Sequence, residues 1–211
     1  MEREIIASNS LLTIGHSNLE LEDLVAVLAS AGVQIVCDVR SRPGSFRHPQ
    51  FNREPLEAGL ASAKIRYEFL GETLGGRPSD RRVYRSDGRV DYELRRKAED
   101  FQAGIERILE LSRTQKIAVM CAEEDPLQCH RFLMICPALA ERGVEPLHIR
   151  RAGVLETQRE AEDRLLSQHD FSAFTSGALF SAERDSVLQD ALRLQAEEFA
   201  FHGSPETFED F

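Results

Sequence analysis

Cys121, Cys129, His130 and Arg131 fall within eleven consecutive residues. A thiol, an imidazole and a guanidinium so close together could serve as a nucleophile, a proton carrier and an anion receptor. Cys129 is the better thiol candidate. A helix opening at Pro126 puts it in a first turn, where the backbone dipole favours a thiolate, and His130 and Arg131 are adjacent. The competing reading is a small buried hydrophobe, a common use of cysteine in a helix. Cys121 is followed by Glu123, Glu124 and Asp125, whose negative charges raise a thiol pKa and repel an oxyanion. Cys121, Cys129, His130, His16 and Cys37 could also supply soft metal ligands. Their C-x7-C-H spacing matches no closed zinc motif, and no metal ligand is assigned.

Further candidates sit at other points where apolar runs end. His16 follows Gly15 and could act as a general base or contact a ligand, against the simpler role of a capping or packing residue. Asp38 could orient Arg40 or backbone amides. Glu123 could hold a ribose hydroxyl or work as acid and base, against the role of a solvated loop carboxylate. Arg40 and Arg42 suit forked phosphate recognition, and Phe51 or Tyr84 could stack on a base. The expected catalytic set is therefore His16, Glu123 and Cys129. The expected substrate-binding set is Asp38, Arg40, Arg42, Phe51, Asn52, Gly75, Gly76, Tyr84, Cys121, His130 and Arg131.

The elements that must position these residues follow from periodicity. Leu11–Ile14 reads as a strand ending at Gly15, and Leu19, Leu24, Val27 and Leu28 recur at near-helical spacing up to Gly32. Val33–Val39 is a β-branched run stopped by the breakers Pro43 and Gly44. A short helix over Leu56–Ala63 and a strand over Ile65–Leu70 come next. Gly71–Asp91 reads as a long loop with arginines at 77, 81, 82, 85 and 89, the kind of loop that is functional or mobile. A helix over Tyr92–Ser112, a strand over Lys116–Cys121, a helix from Asp125 to about Arg142 and a strand over Glu145–Ile149 complete the pattern. Asp125, Pro126 and Gln128 suggest a capped helix start. Strand alternating with helix predicts an α/β fold: a mostly parallel open sheet with helices on both faces, a Rossmann-like three-layer body. In such sheets ligands bind beyond the carboxyl ends of the strands, where all of the candidates fall.

Five strings in order carry a family resemblance: T-I-G-H-S at 13–17, D-V-R-S-R-P at 38–43, F-N at 51–52, L-G-G at 74–76 and C-A-E-E-D-P-L-Q-C-H-R at 121–131. Over about residues 11–150 they are similar to the motif set of the domain of unknown function 488 family. That resemblance implies a bacterial-type α/β protein and brings no reaction with it. D-V-R after the second strand and a strand-ending cysteine also occur in rhodanese-like sulfurtransferases, but the acids after Cys121 argue against an anion cradle there.

Composition bounds the rest. The 211 residues are 42% hydrophobic and 29% charged, proportions of a folded enzyme-sized body. A secretory leader and an apolar run of bilayer length are both missing from the sequence, so the expected location is the cytoplasm, with reduced thiols and no membrane contact. The net charge of −10 opposes non-specific nucleic-acid binding, yet residues 38–97 hold 14 Lys or Arg against 9 Asp or Glu, a local surplus that suits an anionic ligand. From Glu156 onward 13 acids face 4 bases. The expected division is an α/β domain over 1–153 and an acidic helical extension and polar tail over 154–211. Leu188, Leu192 and Phe199 there form an apolar stripe that could dock on the body, a partner or a second subunit. The function expected is an enzyme acting on a phosphate-bearing or nucleotide-like substrate by hydrolysis or group transfer. The alternative is a non-catalytic nucleic-acid or nucleotide-binding module. No cofactor follows from the sequence.

Overall fold

A computed structural model describes residues 11–175 and 181–203; of the expected polar tail, residues 204–211 lie outside the described residues. Five parallel strands form the centre of the molecule: β1 (Leu11–Gly15), β2 (Ile35–Asp38), β3 (Arg66–Phe69), β4 (Ile117–Cys121) and β5 (Leu147–Ile149). A sixth, β6 (Leu155–Thr157), pairs antiparallel with β5, and the order across the sheet is β3-β2-β4-β1-β5-β6. β1, β2 and β4 are buried at every position, which is why they read as continuous apolar runs.

Successive strand residues supply opposite cores. Leu12, Ile14, Val36, Ala118 and Met120 pack with helices α1 (Leu21–Ser30) and α2 (Arg53–Ser62) on one face. Leu11, Ile35, Cys37, Ile117 and Val119 pack on the other face with α5 (Glu99–Ser112), α6 (Cys136–Ala140), α7 (Gln158–Gln168) and α8 (Ser181–Phe199). The result is the expected α/β architecture, an open and mostly parallel sheet in three layers with a C-terminal helix added. Among the described residues no helix is long and apolar enough to cross a membrane.

Several local expectations need correction. The helix expected over Tyr92–Ser112 is two, α4 (Tyr92–Arg96) and α5, separated where Ala98 turns extended. The break lets the buried Arg95 reach both Asp100 and the carbonyl of Thr73. The long loop over 71–91 holds α3 (Gly71–Leu74), a 3-10 turn over Arg81–Val83 and a bridge between Tyr84 and Val90, and it is anchored by buried Leu74, Val83 and Val90. The helix expected from Asp125 is interrupted. A 3-10 turn (Pro126–Gln128) leads to an extended Cys129, then a π-helical turn (Arg131–Ile135) that runs into α6. Asp125 caps it by accepting from the Leu127 amide, without a reciprocal bond from Gln128. The sheet continues past residue 153 through β6, and Thr157 then starts α7 with a complete capping box. On α8, Leu188 and Leu192 are buried in the chain's own core and Phe199 is half-buried against it.

Candidate active site

β1 and β4 are neighbours, but the connections that leave them run in opposite directions, β1 through α1 to β2 and β4 through α6 to β5 on the far side. This is the switch point of the sheet, where strand exits part and leave a crevice. Gly15 ends β1 there. A Cβ on it would stand 1.6 Å from the carbonyl oxygen of Glu123, so only glycine lets the β4 exit pass this closely. The amides of His16 and Ser17 then continue the ladder onto the carbonyls of Cys121 and Ala122 at 3.0 and 2.7 Å.

On one side of the crevice the exit of β2 holds a fixed guanidinium. Asp38 is fully buried and accepts from the Arg40 amide, from Arg40 Nε and Nη2, and from the Tyr67 hydroxyl at 2.9 Å. Arg40 Nη1 lies 3.2 Å from His16 Nε2, while His16 Nδ1 lies 3.0 Å from the Ser17 carbonyl. A carbonyl and a guanidinium fix the tautomer: Nδ1 carries the hydrogen and Nε2 accepts. Burial first, and then the charge of Arg40, drop this imidazole to about 4. Its ring stacks at 4.2 Å on the buried Phe51. Ser17 takes a left-handed φ of 48° here, local strain of the kind found at working sites.

The exit of β4 forms the other side. Cys121 Sγ donates to Glu123 Oε2 at 3.0 Å. His130 donates from Nε2 to the Val39 carbonyl at 3.0 Å, and its Nδ1 faces Cys121 Sγ at 3.6 Å and Cys129 Sγ at 3.8 Å. All three side chains are buried. Burial opposes ionisation of Cys129, but the Cys121 thiol, Arg131 and His130 hold it well below the usual thiol range. The hydrogen bond with Cys129, and then burial, keep Cys121 well above that range. Of the pair, Cys129 is the more acidic thiol. Burial lifts the Glu123 carboxyl. Arg131 is clamped to the carbonyls of Glu123 and Glu124 at 2.6 and 2.7 Å and braces this loop. Arg150 pairs with Glu124 and Arg164 with Asp125, so two of the three acids after Cys121 are already neutralised.

Between these walls lies a cleft of about 660 Å³, bordered by His16, Arg40, Arg42, Gly76, Arg77, Cys121, Glu123 and His130. A family model described as domain of unknown function DUF488 matches residues 20–135. The chain belongs to this family. No curated protein matches it. Among solved structures, a candidate phosphatase (DUF442) from Shewanella putrefaciens CN-32 aligns over 91% of this chain and 87% of its own, at 14% identity and a TM-score of 0.39.

Seven residues expected in the site thus border the cleft of this DUF488 chain: His16, Arg40, Arg42, Gly76, Cys121, Glu123 and His130. Others stand behind it. Asp38 anchors Arg40, Phe51 backs His16, Asn52 accepts from the Ser45 amide, and Cys129 lies under His130. Gly75 fits against Ser41 Oγ, which a Cβ would approach to 2.3 Å. Two do not join the site as ligand contacts. Arg131 gives its guanidinium ends to backbone carbonyls, and Tyr84 bonds the Pro78 carbonyl away from the cleft. Residues outside the expected set also line the cleft: Arg77, Tyr92, Phe199 and Phe201. The last two arrive from the end of α8, where Arg77 stacks on Phe201 at 4.8 Å and Val90 bonds the Phe201 carbonyl. A strand-exit argument gives no signal for them.

Proposed function

We propose that this DUF488 protein is an enzyme that binds a phosphate-bearing or nucleotide-like substrate in the switch-point cleft and transforms it by hydrolysis or group transfer. The observation that carries this reading is the setting of Arg40. Three of its five N–H groups are held by Asp38 and His16, which fixes the guanidinium at the cleft wall with two N–H groups left for an oxyanion. Arg42 and Arg77 border the same space and add positive charge. Tyr92, Phe199 and Phe201 offer apolar and aromatic surface for a base or another ring. The cleft volume suits a ligand of nucleotide size.

His16 and Glu123 leave adjacent strands; His16 holds Arg40 in place, and Glu123, its carboxyl lifted by burial, supplies a group of the kind general acid–base chemistry uses. Calorimetric titration with nucleoside phosphates and inorganic phosphate, followed by product assays on whatever binds, tests the reading. A phosphate compound is expected to bind, with Arg77→Ala weakening it about tenfold in a chain that stays folded. Binding without turnover of any phosphate compound would favour the nucleotide-binding module. No binding at millimolar concentration would end both readings.

A further inference from the structure

Cys121, Cys129 and His130 come together although they belong to a strand end and to the start of a helical segment. Their Sγ, Sγ and Nδ1 atoms all lie within 4.8 Å of one another. Zinc bonds of about 2.3 Å to sulfur and 2.0–2.1 Å to nitrogen, at a tetrahedral angle, put sulfur and nitrogen about 3.6 Å apart. The two sulfur–nitrogen separations here are 3.6 and 3.8 Å. Both sulfur–nitrogen separations already suit a shared cation.

His130 is oriented as a ligand would be. Metal-binding histidines usually give their second N–H to a carboxylate or a backbone carbonyl, which fixes the ring and aims the other lone pair at the ion. Nε2 of His130 makes that bond to the Val39 carbonyl at 3.0 Å, and Nδ1 faces both sulfurs. The Arg131 amide reaches Cys129 Sγ at 3.4 Å, a hydrogen bond that suits a sulfur carrying negative charge. Three buried donor atoms from two separate elements are turned toward one point. A plain packing role would not require this convergence.

We propose that Cys121, Cys129 and His130 bind a zinc-class divalent cation, with the fourth coordination position open toward the cleft beside Glu123. Two thiolates and an imidazole are the soft and borderline donors that select zinc over magnesium or calcium. Three protein ligands and one open position are the pattern of catalytic rather than structural zinc. The opening direction follows from the cleft walls: Cys121, Glu123 and His130 border it, and Glu123 Oε2 lies 3.0 Å from Cys121 Sγ. The ion binds the donors in their unprotonated form, so its uptake releases whatever protons they carry. The site stands on its own donor set; any part it plays in turnover rests on the function proposed above.

The test uses the full chain purified under reducing conditions, with zinc content measured by mass spectrometry and Co(II) as the spectroscopic probe. A single ion per chain, a tetrahedral Co(II) absorption and a thiolate-to-cobalt charge-transfer band are expected. Cys129→Ser and His130→Asn should weaken Co(II) binding at least about a hundredfold, while Cys136→Ser, a change at another buried cysteine, keeps it. If the ligand variants fail to fold, zinc protection of both thiols in the unaltered chain against an alkylating reagent serves instead, and protection is expected. Absence of stoichiometric metal together with no Co(II) spectrum, a Cys121–Cys129 disulfide that persists under reduction, or unprotected thiols would each overturn the site. Metal without phosphate binding would end the proposed substrate class alone, and phosphate binding without metal would end the zinc site alone.

Discussion

Arg40 grips Asp38 side-on, Nε and Nη2 standing 2.9 and 2.6 Å from the two carboxylate oxygens, and both residues are buried. A buried carboxylate that loses its partner is left uncompensated, so Arg40→Met should cost about 3–5 kcal/mol of folding stability in urea unfolding. Adding Asp38→Asn removes the stranded charge and should restore a large part of that loss. Phosphate affinity should be lost in the single and the double variant alike, because the guanidinium is missing from both. A single variant within about 1 kcal/mol of the parent would contradict the anchoring role, and a double variant that binds normally would take Arg40 out of the ligand site.

Gly15 is expected to be irreplaceable for a steric reason. A Cβ there meets the Glu123 carbonyl at 1.6 Å and the Glu124 Cα at 3.0 Å. The loop cannot simply retreat, since Arg131 holds the Glu123 and Glu124 carbonyls from the other side. Gly15→Ala should therefore destabilise by about 3 kcal/mol or shift the β4 exit. Gly44 borders the same cleft, but a Cβ there meets nothing within 4 Å. Gly44→Ala is the matched control and should unfold with the parent in thermal denaturation. Equal melting of the two alanine variants would show that the strand crossing is not tight.

The strand exits were legible because apolar runs end abruptly at Gly15, Asp38 and Cys121, and the parallel sheet follows from their alternation with helices. Charge type alone misled in two places. Arg131 looks like an anion receptor, yet burial gives it to backbone carbonyls. The acids after Cys121 look repulsive to anions, yet Arg150 and Arg164, from sequence-distant positions, neutralise Glu124 and Asp125. The soft-ligand cluster could be named from the sequence but not assigned, for a related reason. Zinc spacing rules describe knuckles, whereas Cys121 and Cys129 are joined by a 3-10 turn and an extended residue that no propensity predicts. The wall made by Phe199 and Phe201 depends on how α8 packs, with Gln195 tied to the Leu127 carbonyl at 3.0 Å, a tertiary fact with no local signature. β6 is three residues long on an exposed edge, too short for a pattern.

His148 gives the fold a pH dependence of defined sign. It is fully buried on β5, accepts the Thr13 hydroxyl at Nδ1 (2.7 Å) and donates from Nε2 to Gln158 Oε1 at 3.1 Å, so both nitrogens are satisfied by the neutral ring. Burial, and then the nearby Arg131, lower it from 6.5 to about 4, against the smaller opposing effects of Gln158 and Glu156. Between those values the unfolded chain takes up a proton that the folded chain refuses. Stability is therefore complete above pH 6.5 and falls as the pH drops toward 4, by about 3 kcal/mol in total. His16 falls in the same window, so the contribution of His148 must be read as a difference between proteins. His148→Gln has no ring to protonate. Its unfolding free energy should start lower at pH 7 through lost packing and then decline less steeply than the parent between pH 6.5 and 4.5, with the two curves converging. Parallel curves over that interval would show that His148 titrates alike in the folded and unfolded chains.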